Sequence, residues 1–243
     1  VYSARSKHQE ADAAFRAAID GLELALGGDH GVRLSTMNNY ALLKSSAGEY
    51  AAGTQLLAEI VEIGERVYGP NHPEVGSFLQ NYGAGLVRLG RFDEATLALE
   101  RAAQIYRETV EENNFVRALP LLTLSEIYLT QRQSEAAEGA SGEAIRLLEQ
   151  SLPADHVVTA IARCRLGRAL VQQGRMDDAE PHFARSLPSL LESAEYPDYR
   201  QSCLTAASQF YGARGDRDRV ARIETALESL DADAPLTPAV QTD

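Results

Sequence analysis

The chain of 243 residues is 44% hydrophobic and carries 23 basic and 35 acidic side chains, a net charge of −12. That balance argues against nucleic acid and anionic membranes as partners, because both attract basic surfaces. No apolar run approaches the roughly 18 residues of a membrane span, and no N-terminal stretch has the basic start and apolar middle of a secretory leader.

Taken in chain order, the apolar spacing predicts an opening helix over 7–26, then helix pairs at 31–46 and 49–68, 73–88 and 91–111, 114–130 and 133–150, 154–172 and 175–193, and 197–212 and 215–230. Leu79, Tyr82, Leu86 and Leu89 show the three-and-four spacing of one helix face, as do Leu97, Ala98, Ala102 and Ile105. Between the pairs lie short polar turns: Gly28-Asp29-His30, Pro70-Asn71-His72-Pro73, Glu112-Asn113-Asn114, Ala154-Asp155-His156 and Tyr196-Pro197-Asp198. Asp and Asn there suit the N-cap, and Pro73 suits the first helical position. Pro188, deep in its helix, predicts a kink or an early end. The segment 231–243, with Pro235 and Pro238, is expected to be disordered.

These pairs are a repeat. Gly48, Gly90, Arg132, Gly174 and Gly215 are spaced by 42, 42, 42 and 41 residues. Three further registers keep the period: Phe15, Leu57, Leu99, Ser141, Phe183 and Glu224; Ala11, Gly53, Ala95, Ala137, Ala179 and Val220; and Tyr2, Lys44, Leu86, Tyr128, Leu170 and Tyr211. The small residues of the second suit close helix–helix approach. A fixed period of this size means a stacked array with an extended binding surface. The absence of Trp sets aside a propeller of similar period. The expected organisation is an array over 1–230: a partial repeat 1–27, then repeats near 28–69, 70–111, 112–153, 154–194 and 195–230. Tyr2, in register with Tyr128, places the start inside a first helix, which suggests a piece of a longer protein.

The text Tyr68-Gly69-Pro70-Asn71-His72-Pro73-Glu74-Val75, then Leu79-Gln80-Asn81-Tyr82, then Gly90-Arg91-Phe92-Asp93-Glu94-Ala95 resembles kinesin-light-chain-type tetratricopeptide repeats. Met37-Asn38-Asn39-Tyr40-Ala41 resembles the same family's first helix. The resemblance implies an all-α fold, a right-handed α-α superhelix of helix-turn-helix repeats, whose concave wall is lined by first helices. In that family the asparagines of the wall hold a peptide backbone. Asn38, Asn39, Gln80 and Asn81 match those positions, with bonding between helices as the alternative role. Arg88, Arg165, Arg168, Gln172 and Gln209 follow along the same surface, either as ordinary surface polarity or as a site for an acidic side chain or terminal carboxylate. The lysine clamp of chaperone-binding relatives is not matched.

Other chemistry finds little support. His30, His72 and His156 recur at the repeat spacing, but equivalent positions in stacked repeats lie ~8–10 Å apart, against about 2 Å for zinc–nitrogen bonds; they read as cap and turn residues. Neither Lys7 nor Lys44 follows a glycine, so there is no P-loop, and no nucleophile elbow or His-Glu-x-x-His occurs. Cys164 and Cys203, 39 apart, read as reduced, buried thiols fitting a cytoplasmic location, with a disulfide as the alternative. No cofactor or metal is expected. The leading function is a non-catalytic scaffold for a protein or peptide ligand. Alternatives are a regulatory arm of a bacterial Ser/Thr kinase or other signalling protein, and self-association through the truncated N-terminal repeat.

Overall fold

A computed structural model describes residues 2–233, with side chains over residues 8–230. The expected disorder of 234–243 lies outside the described residues. The described chain is helical throughout: α1 (Tyr2–Leu26), α2 (Gly31–Ser46), α3 (Tyr50–Tyr68), α4 (Pro73–Arg88), α5 (Phe92–Thr109), a 3-10 turn (Phe115–Ala118), α6 (Leu119–Thr130), α7 (Ser134–Ser151), α8 (Val157–Gln172), α9 (Met176–Glu192), α10 (Pro197–Ala213) and α11 (Arg217–Asp233). No described helix is long and apolar enough to cross a membrane. The chain divides into two compact units, residues 1–131 and 132–243.

The period has a backbone cause. Each first helix ends in a residue with positive φ: Gly48 at 82°, Gly90 at 72°, Gly174 at 77° and Gly215 at 76°, a conformation glycine adopts without a Cβ clash. Arg132 takes the same turn at φ 58°. One period before Gly48 stands Ser6, and there the helix simply continues. This corrects the expectation that Tyr2 belongs to a separate first helix, since α1 is one helix of 25 residues. Two further ends differ. α9 runs through Pro188 to Glu192 rather than ending early, and α11 extends to Asp233, into the segment expected to be disordered.

Helix starts are periodic too, in a way only half foreseen. His30, His72 and His156 are N-caps: each Nδ1 accepts a bond of 3.2 Å from the backbone N–H two residues on, at Val32, Glu74 and Val158. Asn114, in the same register, does so through Oδ1 to Val116 at 3.0 Å. The capping acceptor is therefore the histidine, not the Asp or Asn before it. Arginine closes the preceding end. Arg33 donates to the Gly28 carbonyl at 3.1 Å, Arg117 to Val110 at 3.5 Å and Arg200 to Leu190 at 2.8 Å. Arg33 and Arg200 are nearly buried there, 9% and 5% exposed, which a cation tolerates only when bonded.

In unit 1, α2 pairs with α3 and α4 with α5, α1 packs on α2, and α6 packs on α5 and α4. Leu34, Met37, Ala41, Leu57, Ile60, Ile63 and Phe78 form one core cluster. Close approach depends on missing side chains. A Cβ at Gly53 would lie 2.8 Å from the Ala41 carbonyl oxygen, and one at Gly83 would lie 2.6 Å from Leu99 Cγ. α1 is tied down by Lys44, which pairs with Asp12 at 2.6 Å and Glu49 at 3.0 Å. Tyr40 donates to Asp12 at 2.8 Å within that network.

In unit 2, α7 and α9 pack on α8, α11 on α10, and α10 on α8 and α9. Ala137 and Ala179 of the small-residue register are fully buried. Phe183 and Phe210 stack with centroids 4.8 Å apart. Cys164 and Cys203 are bonded to each other, with Cα atoms 5.9 Å apart, joining α8 to α10. This corrects the reading of reduced thiols and removes the cysteine-based argument for a cytoplasmic location.

Candidate functional site

The first helices of unit 2 frame a cleft of about 660 Å³. Its walls come from α8 and α10. Arg168, Val171 and Gln172 fall on one face of α8 at three-and-four spacing, and Asp198, Gln201, Ser202, Thr205, Gln209 and Ala213 fall on one face of α10. Met176, at the start of α9, and the Phe183–Phe210 stack supply apolar surface. Three residues anticipated from sequence, Arg168, Gln172 and Gln209, therefore come together in one place. Arg168 donates to Ser202 Oγ at 3.4 Å across the cleft.

The other anticipated residues are placed differently. Arg165 is 4% exposed, and its guanidinium lies 5.1 Å over the Tyr199 ring. In unit 1, Asn81 Nδ2 donates to Asn38 Oδ1 at 2.9 Å, so the two amides join α4 to α2. Gln80 accepts from the Tyr106 hydroxyl at 3.4 Å, and burial pushes that phenol up to about 12. Asn39 is exposed. The Arg88 guanidinium lies 5.8 Å over the Tyr50 ring.

Sequence reasoning reached the α10 wall only at Gln209. The available signal was the stripe Asp198, Gln201, Ser202, Thr205 and Gln209: a helix face almost free of charge in a chain otherwise rich in it. It also passed over Met176, a large apolar residue 42% exposed at a helix start.

Around the cleft, arginines are engaged with the chain's own carboxylates. Arg175 reaches Glu138 at 2.9 Å and Asp178 at 2.8 Å. Gln173 and then Arg175 hold the Glu138 carboxyl below its usual range by hydrogen bonding. Arg214 pairs with Asp177 and with Glu180, each at 3.0 Å. On α9, burial first, and then Arg185 and Arg163, lower the pKa of His182. Among the described residues no three His, Cys, Asp or Glu side chains gather to hold a metal ion.

The tetratricopeptide repeat family model matches residues 33–108 and 116–192, and the chain belongs to that family. Among solved structures, BtubC (BKLC) from P. vanneervenii superposes with a TM-score of 0.74 at 18% identity, covering 97% of this chain and 96% of that one. A putative kinesin light chain of Podosopora anserina superposes at 0.65 with 17% identity, over 82% of this chain and 95% of that one. YrrB, described as a tetratricopeptide protein with an unusual peptide-binding site, superposes at 0.52 with 17% identity, over 90% and 93%. No curated protein sequence matches the chain. The fold is thus all-α and of the kinesin-light-chain-like tetratricopeptide kind.

Proposed function

We propose that the chain is a non-catalytic interaction module whose second unit seats an extended segment of a partner protein between α8 and α10. The observation that carries this reading is the convergence of Arg168, Gln172 and Gln209 on a cleft of about 660 Å³ with an apolar floor. That volume falls within the ~300–1,000 Å³ of typical binding clefts. Glutamine offers both donor and acceptor, so it can satisfy an extended backbone without reading its side chains. Membership of the tetratricopeptide family supports the reading, as does the peptide-binding site attributed to YrrB, a protein of like fold.

The test is site-specific photo-crosslinking in the native cell. A benzophenone side chain at exposed Thr205, on the cleft wall, is expected to give a discrete adduct with one or a few proteins. The same group at exposed Glu224, on α11, serves as control. Identical adduct patterns from both positions, or none from Thr205, would remove the cleft from consideration.

A further inference from the structure

Resting on that reading of the α8–α10 cleft, we infer its ligand class: an uncharged, extended segment that buries one large apolar side chain. The domain's many arginines would suggest an acidic or phosphorylated ligand instead, and the local chemistry opposes that.

Carboxylates and phosphates are recognised by guanidinium forks aimed at the ligand. The cleft lining holds one cation, Arg168, and one anion, Asp198; its other polar members are amides and hydroxyls. Arg168 is bonded to Ser202. The arginines nearby serve the fold: Arg165 is buried over Tyr199, Arg175 holds Glu138 and Asp178, and Arg214 holds Asp177 and Glu180. An anionic group entering here would lose water without gaining a dedicated fork, and a cationic group would find a single carboxylate. A neutral backbone loses nothing comparable, because Gln172, Gln201 and Gln209 can trade bonds with it.

The cleft is also graded along its length. The two charged members, Arg168 and Asp198, come from the earlier parts of the lining stretches of α8 and α10, whereas the apolar Val171, Ala206, Phe210 and Ala213 come from the later parts, joined by Met176 and interleaved with the amides of Gln172 and Gln209. Ala206 and Ala213 are small beside Phe210, which leaves room for an incoming side chain. Met176 can reshape around it, being unbranched and polarizable. One apolar anchor at this end, with amide bonding from Gln172 and Gln209 beside it and from Gln201 further along, defines the ligand.

The experiment pans a random twelve-residue peptide display library on the full chain and measures the selected peptides by fluorescence anisotropy. Thr205→Arg, which fills the cleft from an exposed position, is the blocking variant, and Ala213→Trp serves from the other end if the first does not fold. The expected peptides have net charge near zero and bind the blocked protein at least about tenfold more weakly. They lose at least about tenfold when their largest apolar residue becomes alanine. Cleft-dependent peptides that owe their affinity to Asp, Glu, Lys or Arg would overturn the ligand class while leaving the cleft as the binding site. Peptides indifferent to the blocking variants, or a library yielding none, would overturn the cleft itself and this inference with it.

Discussion

The two units share one repeat yet join their first helices by different means. In unit 1, α2 and α4 meet through a pair of amides, Asn38 and Asn81, and α3, α4 and α5 close together where glycine removes the obstacle. In unit 2, α8 and α10 meet through a covalent bond between buried sulfurs, and a cleft opens beside it. Within a repeat the two units differ less, and both helix pairs are tight. A Cβ at Gly83 would come within 2.6 Å of Leu99, whereas at the equivalent Gly167 the nearest Phe183 atom would be at 3.0 Å. The lesson is that a repeat dictates where helices start and stop, while the side chains between neighbouring first helices decide what the face can bind.

Four experiments press on this difference, from the largest expected effect downward. Phe183→Ala removes a fully buried ring that also lines the cleft and should cost about 3–5 kcal/mol. The repeat-equivalent Leu99→Ala should cost about 2–5 kcal/mol without touching the cleft. Hydrogen exchange should show lost protection centred on α8–α10 for the first and on α4–α5 for the second. The reverse pattern would dissolve the comparison.

Next, Cys164→Ala with Cys203→Ala, or a dithiol reductant, should lower the stability of unit 2 by about 2–4 kcal/mol. Protection of α2 and α4 should be unchanged. Equal loss in both units would show that the sulfur bridge is not what sets them apart.

Smaller effects should be alike in the two units, which sharpens the contrast. His72→Ala and His156→Ala each remove an N-cap acceptor and should cost about 0.5–2 kcal/mol by denaturant unfolding. Asparagine at either position should restore most of the loss, since Asn114 already does the same work. A cap worth nothing would mean the periodic histidines have another role.

The smallest effect is the pH dependence that His182 brings to unit 2. His182 has a folded pKa below its unfolded value because of burial and then the nearby arginines. Between those two values the unfolded chain binds a proton that the folded chain does not, so stability falls as pH drops below about 6.5. His182→Gln should flatten that part of the profile, and an unaltered slope would count against the assignment.

Much of the fold was legible because it depends on local chemistry. A residue in the left-handed turn every 41 or 42 positions, and alanine or glycine at every crossing of that register but the last, Val220, mark the helices, and observed boundaries fall close to those expected. Contacts between neighbouring first helices were harder to read. Helices that lie side by side present different faces to each other, so touching residues are not repeat-equivalents. Asn38 and Asn81 are 43 apart, Cys164 and Cys203 are 39 apart, and Arg168 and Ser202 are 34 apart. Looking for partners at the repeat distance therefore leaves the amide pair and the disulfide as second readings and reaches the far wall of the cleft at Gln209 alone. Arg165 shows the complementary limit: its charge suggested a surface role, while its position between helices buries it against Tyr199.

The Lys44 network has a consequence for how this chain can be marked. Within these 243 residues only Lys7 and Lys44 carry a side-chain amine. Hydrogen bonds donated by Lys44 to Asp12 and then to Glu49 raise its pKa well above the ordinary value, so its nitrogen stays protonated and poorly nucleophilic. Acylating dyes, acetyl groups and ubiquitin conjugation all require a free amine pair. On the folded chain such chemistry is disfavoured at position 44, where Asp12 of α1 and Glu49 both hold the amine.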